Sequence, residues 1–281
     1  MYQFPIGIML DSLRTDAASA IQKAAELGAN GLQMYATSGE FVPENMSAQK
    51  RRELLDMVKS HGLVFSALCG DLGQGFGNAE QNPALIEKSK RILDLAKDLE
   101  TNVVTTHIGV IPSDCKHPRY AVMQAACAEL SRYADSIDAH FAVETGPEPA
   151  ETLKNFLDSL GSHGVAVNLD PANFVMVTGD DPVRAVYTLR DYIVHTHAKD
   201  GIKLADGDPE AIYGVIEDVI QAGDYFRELP LGEGDVPFAD YLHALEDIGY
   251  LGFLTIEREV GENPAQDIAL AIKFLHAQMG E

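Results

Sequence analysis

Residues 165–173 read VAVNLDPAN. The run VAVNL is apolar, rich in valine and too short for a buried helix, and it ends on an acid followed by proline. A run of this kind reads as a strand buried on both faces, as in a parallel sheet. The same grammar recurs upstream in FAVETG (141–146) and downstream in YIVHTHAKD (192–200) and FLTIERE (253–259). Working outward, the predicted strands are Pro5 to Leu10, Gly31 to Tyr35, Val64 to Cys69, Val103 to His107, Phe141 to Glu144, Val165 to Leu169, Tyr192 to His197 and Phe253 to Glu257. Longer amphipathic stretches separate them. Eight βα units in a chain of 281 residues fit an α/β protein made of a single (β/α)8 TIM barrel better than an open sheet. One domain over residues 1–281 is therefore expected.

Helix punctuation agrees with that count. Asn82-Pro83, Asp181-Pro182 and Asn263-Pro264 each set a capping side chain before a proline suited to the first helical position. Ser47 opens a further helix, and Gly28 and Gly62 stand where the first two helices should stop. One connection is longer than the rest: Asp200 to Pro237, the loop after strand seven. It holds both AIYGVIEDVIQAG and the turn-rich LGEGDV, and it is expected to overhang the catalytic mouth, the alternative being a decorative insertion with its own short helix.

Composition narrows the function classes. The formal charge of −22, from 43 Asp and Glu against 21 Lys and Arg, repels phosphate backbones and anionic membranes. No nucleic-acid partner is expected. No stretch reaches the roughly 18 apolar residues of a membrane span, and the start MYQFPIGIML lacks a basic leader region, so a cytoplasmic location is expected. Cys69, Cys115 and Cys127 are odd in number and form no C-x-x-C pair, which argues for reduced thiols. Whether the chain forms a homo-oligomer is left open.

In a barrel of this type, active groups project from the carboxyl ends of the strands. Strand five ends in Glu144, strand six in Asp170, strand seven in His197 and strand eight in Glu257. Singly, each has an ordinary explanation, since an acid at a strand end often caps the next helix and a buried histidine is usually just hydrogen-bonded. Jointly, three carboxylates at one mouth would repel unless a cation neutralised them. Three oxygens and one imidazole suit Mn²⁺ first, with Mg²⁺, Co²⁺ and Zn²⁺ as alternatives.

With VETG, DPAN, HAKD and IERE in view, the chain resembles the xylose isomerase-like sugar phosphate isomerase/epimerase superfamily over nearly its full length. Within it, the resemblance is to the ketose 3-epimerases and L-ribulose-5-phosphate 3-epimerase. It implies a small sugar or sugar-derived substrate, and it implies that Glu144, Asp170, His197 and Glu257 bind the metal and that Glu144 and Glu257 are also the catalytic proton carriers. Asn173, three after the metal Asp, resembles the D-x-G-N form of the phosphopentose epimerases, where free-ketose epimerases have a substrate-binding histidine. Ala172 departs from the usual glycine. Lys199 and Asp200 follow His197 in a family-like H-x-K-D, with Lys199 expected to orient substrate. His107 is expected to bond a substrate hydroxyl, and Glu233 and Arg258 to reach the pocket. His195, two before His197, should sit one layer deeper and support the metal shell.

The expected chemistry is removal of a proton beside a carbonyl, giving an enediolate that the metal stabilises. Two carboxylates about 135° apart around the ring can address opposite faces of one carbon, which makes an epimerase. One carboxylate shuttling a proton between adjacent carbons makes an isomerase. A lyase, of the inosose dehydratase type or eliminating from 3-keto-glycosides, shares the first step and is the alternative. The superfamily's abasic-site endonucleases need extra histidines where this chain has Gln33 and Asp71. A non-catalytic sugar-binding barrel is disfavoured by the intact ligand set.

Overall fold

A computed structural model describes residues 3–213 and 225–280. Eight parallel strands close into a barrel: β1 (Ile6–Met9), β2 (Gly31–Tyr35), β3 (Val64–Cys69), β4 (Val103–Thr106), β5 (His140–Glu144), β6 (Val165–Leu169), β7 (Ile193–Ala198) and β10 (Leu254–Ile256). Neighbours follow chain order, and β10 pairs with both β7 and β1 to shut the ring. The eighth barrel strand of the sequence reading is therefore β10. The intervening β8 (Asp200–Lys203) and β9 (Phe226–Leu229) form an antiparallel hairpin outside the barrel.

The strands are nearly continuous in burial because both faces are covered. Outward side chains such as Ile8, Leu32, Leu68 and Phe141 join the helices in one apolar cluster, each contributing about 1.5–3 kcal/mol by burial. The covering helices include α1 (Ala17–Leu27), α2 (Ala48–Ser60), α3 (Asn82–Asp98), α4 (Pro118–Ser136), α5 (Ala150–Asp158), α7 (Pro182–Leu189), α9 (Phe238–Asp247) and α10 (Pro264–Met279). A single turn, α6 (Pro171–Asn173), runs on into π-helix over Phe174–Thr178.

Local signals translated unevenly. Asp181 caps α7, accepting from the Val183 and Arg184 amides, and Ser47 caps α2. Gly28 ends α1 with φ of 90°. Asn82 does not cap: it is the first residue of α3, and its Nδ2 donates to the Phe76 carbonyl at 3.0 Å. Asn263 stands at the cap position of α10 without a side-chain bond. The long connection carries a short helix, α8 (Pro209–Ile212), together with the hairpin that the sequence did not announce. Most of the AIYGVIEDVIQAG stretch lies outside the described residues. All three cysteines are free, Cys69 and Cys127 buried and Cys115 exposed.

Candidate metal centre

Glu144 is the last residue of β5, Asp170 follows β6, His197 is the penultimate residue of β7 and Glu257 follows β10. One donor atom from each lies within 4.8 Å of the others, and all four residues are buried. His197 Nδ1 is at the middle of the set, 3.4 Å from Glu257 Oε2, 3.5 Å from Asp170 Oδ2 and 3.7 Å from Glu144 Oε2. Asp170 also caps α6, its Oδ1 accepting from the Asn173 amide at 2.9 Å. Its other oxygen, Oδ2, is buried with no hydrogen-bond partner. A buried carboxylate oxygen is rarely left so, and a cation bound by these four groups would satisfy it. The donor set therefore fits a divalent ion.

A layer of buried polar side chains beneath this set fixes its orientation. Thr105 Oγ1 donates to the Leu68 carbonyl at 3.5 Å and accepts from Gln33 Nε2 at 2.9 Å. That turns Gln33 Oε1 toward His197 Nε2, 3.1 Å away. With its proton on Nε2, facing Gln33 Oε1, His197 leaves the Nδ1 lone pair for the carboxylate side, the arrangement a metal-ligating histidine needs; Asn168 Nδ2 also stands 3.2 Å from Nε2. His195 lies deeper, as expected, between Asn168 Oδ1 at 2.8 Å and Thr255 Oγ1 at 2.9 Å. Burial and the neighbouring His197 hold its ring well below the ordinary histidine value, so it is neutral. Asn168 in turn donates to Glu144 Oε2 at 3.2 Å.

The two glutamates have contrasting surroundings. Burial pushes Glu144 up to about 7, with Glu257 and Asp170 adding to it against His107 and His197. Burial acts on Glu257 in the same direction but is outweighed by Lys199 and His197, which hold it well below the usual range. Lys199 Nζ donates to Glu257 Oε2 at 2.9 Å and to Glu259 Oε2 at 2.6 Å. For His197, burial is overcome by the Glu257 and Glu144 carboxylates, which raise it well above its ordinary value.

The centre opens into a pocket of about 260 Å³ whose lining includes His107, Asn173 and Lys199 beside Glu144 and Glu257. Asn173 Nδ2 donates to Glu144 Oε1 at 3.1 Å, and His107 Nε2 is 3.7 Å from the same oxygen. Two expected pocket residues are elsewhere. Arg258 is buried, but its guanidinium ties Glu228 of β9 to Asp267 of α10. Glu233 is exposed in the turn after β9, its amide donating to the Pro230 carbonyl. Their neighbours Glu228, Glu259 and Tyr213 line the pocket instead, with the Tyr213 ring 5.7 Å from that of His107. Burial holds the Tyr213 phenol well above its ordinary value, so it stays protonated.

This arrangement, a closed eight-stranded barrel with a Glu, Asp, His and Glu donor set at consecutive strand ends, defines a class of barrel proteins. Residues 21–278 match the family described as Xylose isomerase-like TIM barrel, and the chain belongs to that family. Among solved structures, a xylose isomerase domain protein from Planctomyces limnophilus is 24% identical with a TM-score of 0.80, over 98% of this chain and 96% of that one. The probable 3-DHS dehydratase AsbF from Bacillus anthracis is 20% identical with a TM-score of 0.76, over 97% and 98%. D-psicose 3-epimerase from Clostridium cellulolyticum H10 is 16% identical with a TM-score of 0.73, over 98% and 99%. These likenesses establish the shared fold.

Proposed function

We propose that the protein is a divalent-metal-dependent sugar isomerase or epimerase, which takes a proton from the carbon beside a carbonyl and delivers one back. The observation that carries this reading is the pair of buried carboxylates Glu144 and Glu257, three strands apart on the ring and facing one pocket. Groups separated in this way divide the roles of acid and base. Glu257, beside the Lys199 ammonium at 2.9 Å, takes the proton. Glu144, three strands round the ring, returns one from the other side. His107, Asn173 and Lys199 orient the hydroxyls of the sugar, while the buried walls exclude water. A divalent ion held by Glu144, Asp170, His197 and Glu257, Mn²⁺ first and Mg²⁺, Co²⁺ or Zn²⁺ as alternatives, would supply positive charge against the developing enediolate.

A lyase is the second reading, and one observation favours it. Elimination needs a donor for the departing oxygen, and Tyr213 offers a protonated phenol at the mouth. Fold neighbours named as a sugar 3-epimerase and a probable dehydratase agree with both readings.

In deuterated water, the Mn²⁺-loaded protein should place deuterium on the carbon next to the carbonyl. Glu144→Gln and Glu257→Gln should each lower turnover by about two orders of magnitude or more without loss of fold. Release of a leaving group with an unsaturated ketone would select the lyase. Product that keeps a deuterium originally on that carbon, with no primary isotope effect, would sink the mechanism.

A further inference from the structure

The metal pocket does not end at His107. A second cavity of about 390 Å³ shares Asp71, His107 and Tyr213 with it and continues between the β3–α3 and β4–α4 connections. Small-molecule sites usually run to about 300–1,000 Å³. The metal pocket alone lies below that range and suits one sugar ring; the two cavities together suit a ligand about twice that size.

The wall of the second cavity is preformed. It is built by the segment GDLGQGFGN, residues 70–78. Phe76 donates its amide to the Ile108 carbonyl at 2.9 Å, and Asn82 holds the Phe76 carbonyl. Gly75 has φ of 60°, and a Cβ there would stand 2.7 Å from the Ile108 carbonyl oxygen. Only glycine lets the two connections approach this closely.

Charge decides what the space accepts. The Lys and Arg side chains lining the two cavities are Lys199 and Arg119. Both are already ion-paired, Lys199 with Glu257 and Glu259, and Arg119 with Glu210. Acids are more numerous in the metal pocket, where Asp71, Glu144, Glu228, Glu257 and Glu259 all contribute to the lining. A phosphate in the metal pocket would meet these carboxylates, and Lys199 and Arg119 already carry ion pairs. A neutral hydroxylated ring would meet Gln74, Asn78 and the backbone of the loop. His107 Nδ1 and Arg119 Nε, on the same wall, lack hydrogen-bond partners.

The geometry points to a two-ring, unphosphorylated substrate: a sugar bearing the reacting carbonyl at the metal centre, with a neutral glycosyl substituent in the cavity between residues 71–78 and 107–119. This rests on the sugar reading of the metal centre. The test uses D-fructose, D-fructose 6-phosphate, isomaltulose and lactulose, which share a fructose unit and differ in its substituent. Binding to the Mn²⁺-loaded protein is read by calorimetry. At least one disaccharide should bind tenfold or more tighter than fructose, and the phosphate should bind more weakly than fructose. Gln74→Trp, which fills the cavity from an exposed position, should bring the disaccharide-to-fructose affinity ratio to about one. If fructose binds but neither disaccharide gains, or if the phosphate binds tightest, the inference is overturned while the metal-centre reading stands. If none of the four binds, the sugar reading falls and takes this inference with it.

Discussion

At Gln33 a neutral amide decides which nitrogen of His197 faces the carboxylates. Its oxygen is turned by Thr105 and occupies Nε2. Gln33→Leu should therefore weaken Mn²⁺ binding by roughly 10–100-fold, the usual cost of losing such a partner; a metal titration giving wild-type affinity would refute the orienting role. The four donors themselves were legible because acids and histidine at consecutive strand ends stand out in the sequence. Gln33 was not, because its role depends on Thr105 across the barrel, a pairing that no local pattern encodes. Glu148 was also missed. It is buried, one oxygen accepts the Ile111 amide at 3.4 Å, and the other has no partner. Burial pushes it up to about 8, so the folded state holds a proton that the unfolded chain releases near the ordinary value. The stabilisation from this group is full below about pH 4.5 and is lost as pH rises toward 8, at about 1.4 kcal/mol per unit. Glu148→Gln should gain stability relative to wild type across that window, and parallel pH profiles of the two in urea denaturation would refute the assignment.

The hairpin after β7 is the element that turns a barrel end into a covered site. Asp200 anchors it, with Oδ1 accepting the Gly201 and Val236 amides at 2.9 and 3.1 Å and Oδ2 those of Gly232 and Gly234 at 2.9 and 3.1 Å. Arg258 fixes its second strand to α10 through Glu228 and Asp267. Asp200→Ala leaves four amides without their acceptor and should cost about 2–4 kcal/mol in denaturant unfolding; a loss below about 0.5 kcal/mol would show that water or neighbouring carbonyls replace the carboxylate. The barrel strands were readable to within a residue or two because both faces are buried and their composition is monotonous. The hairpin was not, since Asp200–Lys203 and Phe226–Leu229 pair across a long intervening segment and each alone reads as loop. Arg258 follows Glu257 directly in the sequence. Leaving the strand rotates consecutive side chains apart, and its charge found Glu228 and Asp267 instead.

For the whole molecule, the clustered acids are part of a chain with a net charge of −22. A divalent ion that binds only the folded state stabilises it by about 2.7 kcal/mol at a hundredfold excess over Kd, or roughly 5–10 °C in a protein of this size. Thermal denaturation with Mn²⁺ against chelator should show that rise, and Asp170→Asn should diminish it; an equal rise in the variant would place the ion elsewhere. The strand order carries a different consequence. Residues Ile6 to Ile8 at the start of the chain pair with Leu254 to Ile256 near its end, and Glu257 follows directly. During synthesis the first strand must wait, with one edge uncovered, until Leu254 to Ile256 have left the ribosome. The fourth donor emerges with the strand that closes the ring. Chains that stop short of that strand would therefore lack the complete donor set, so acquisition of the ion reports ring closure.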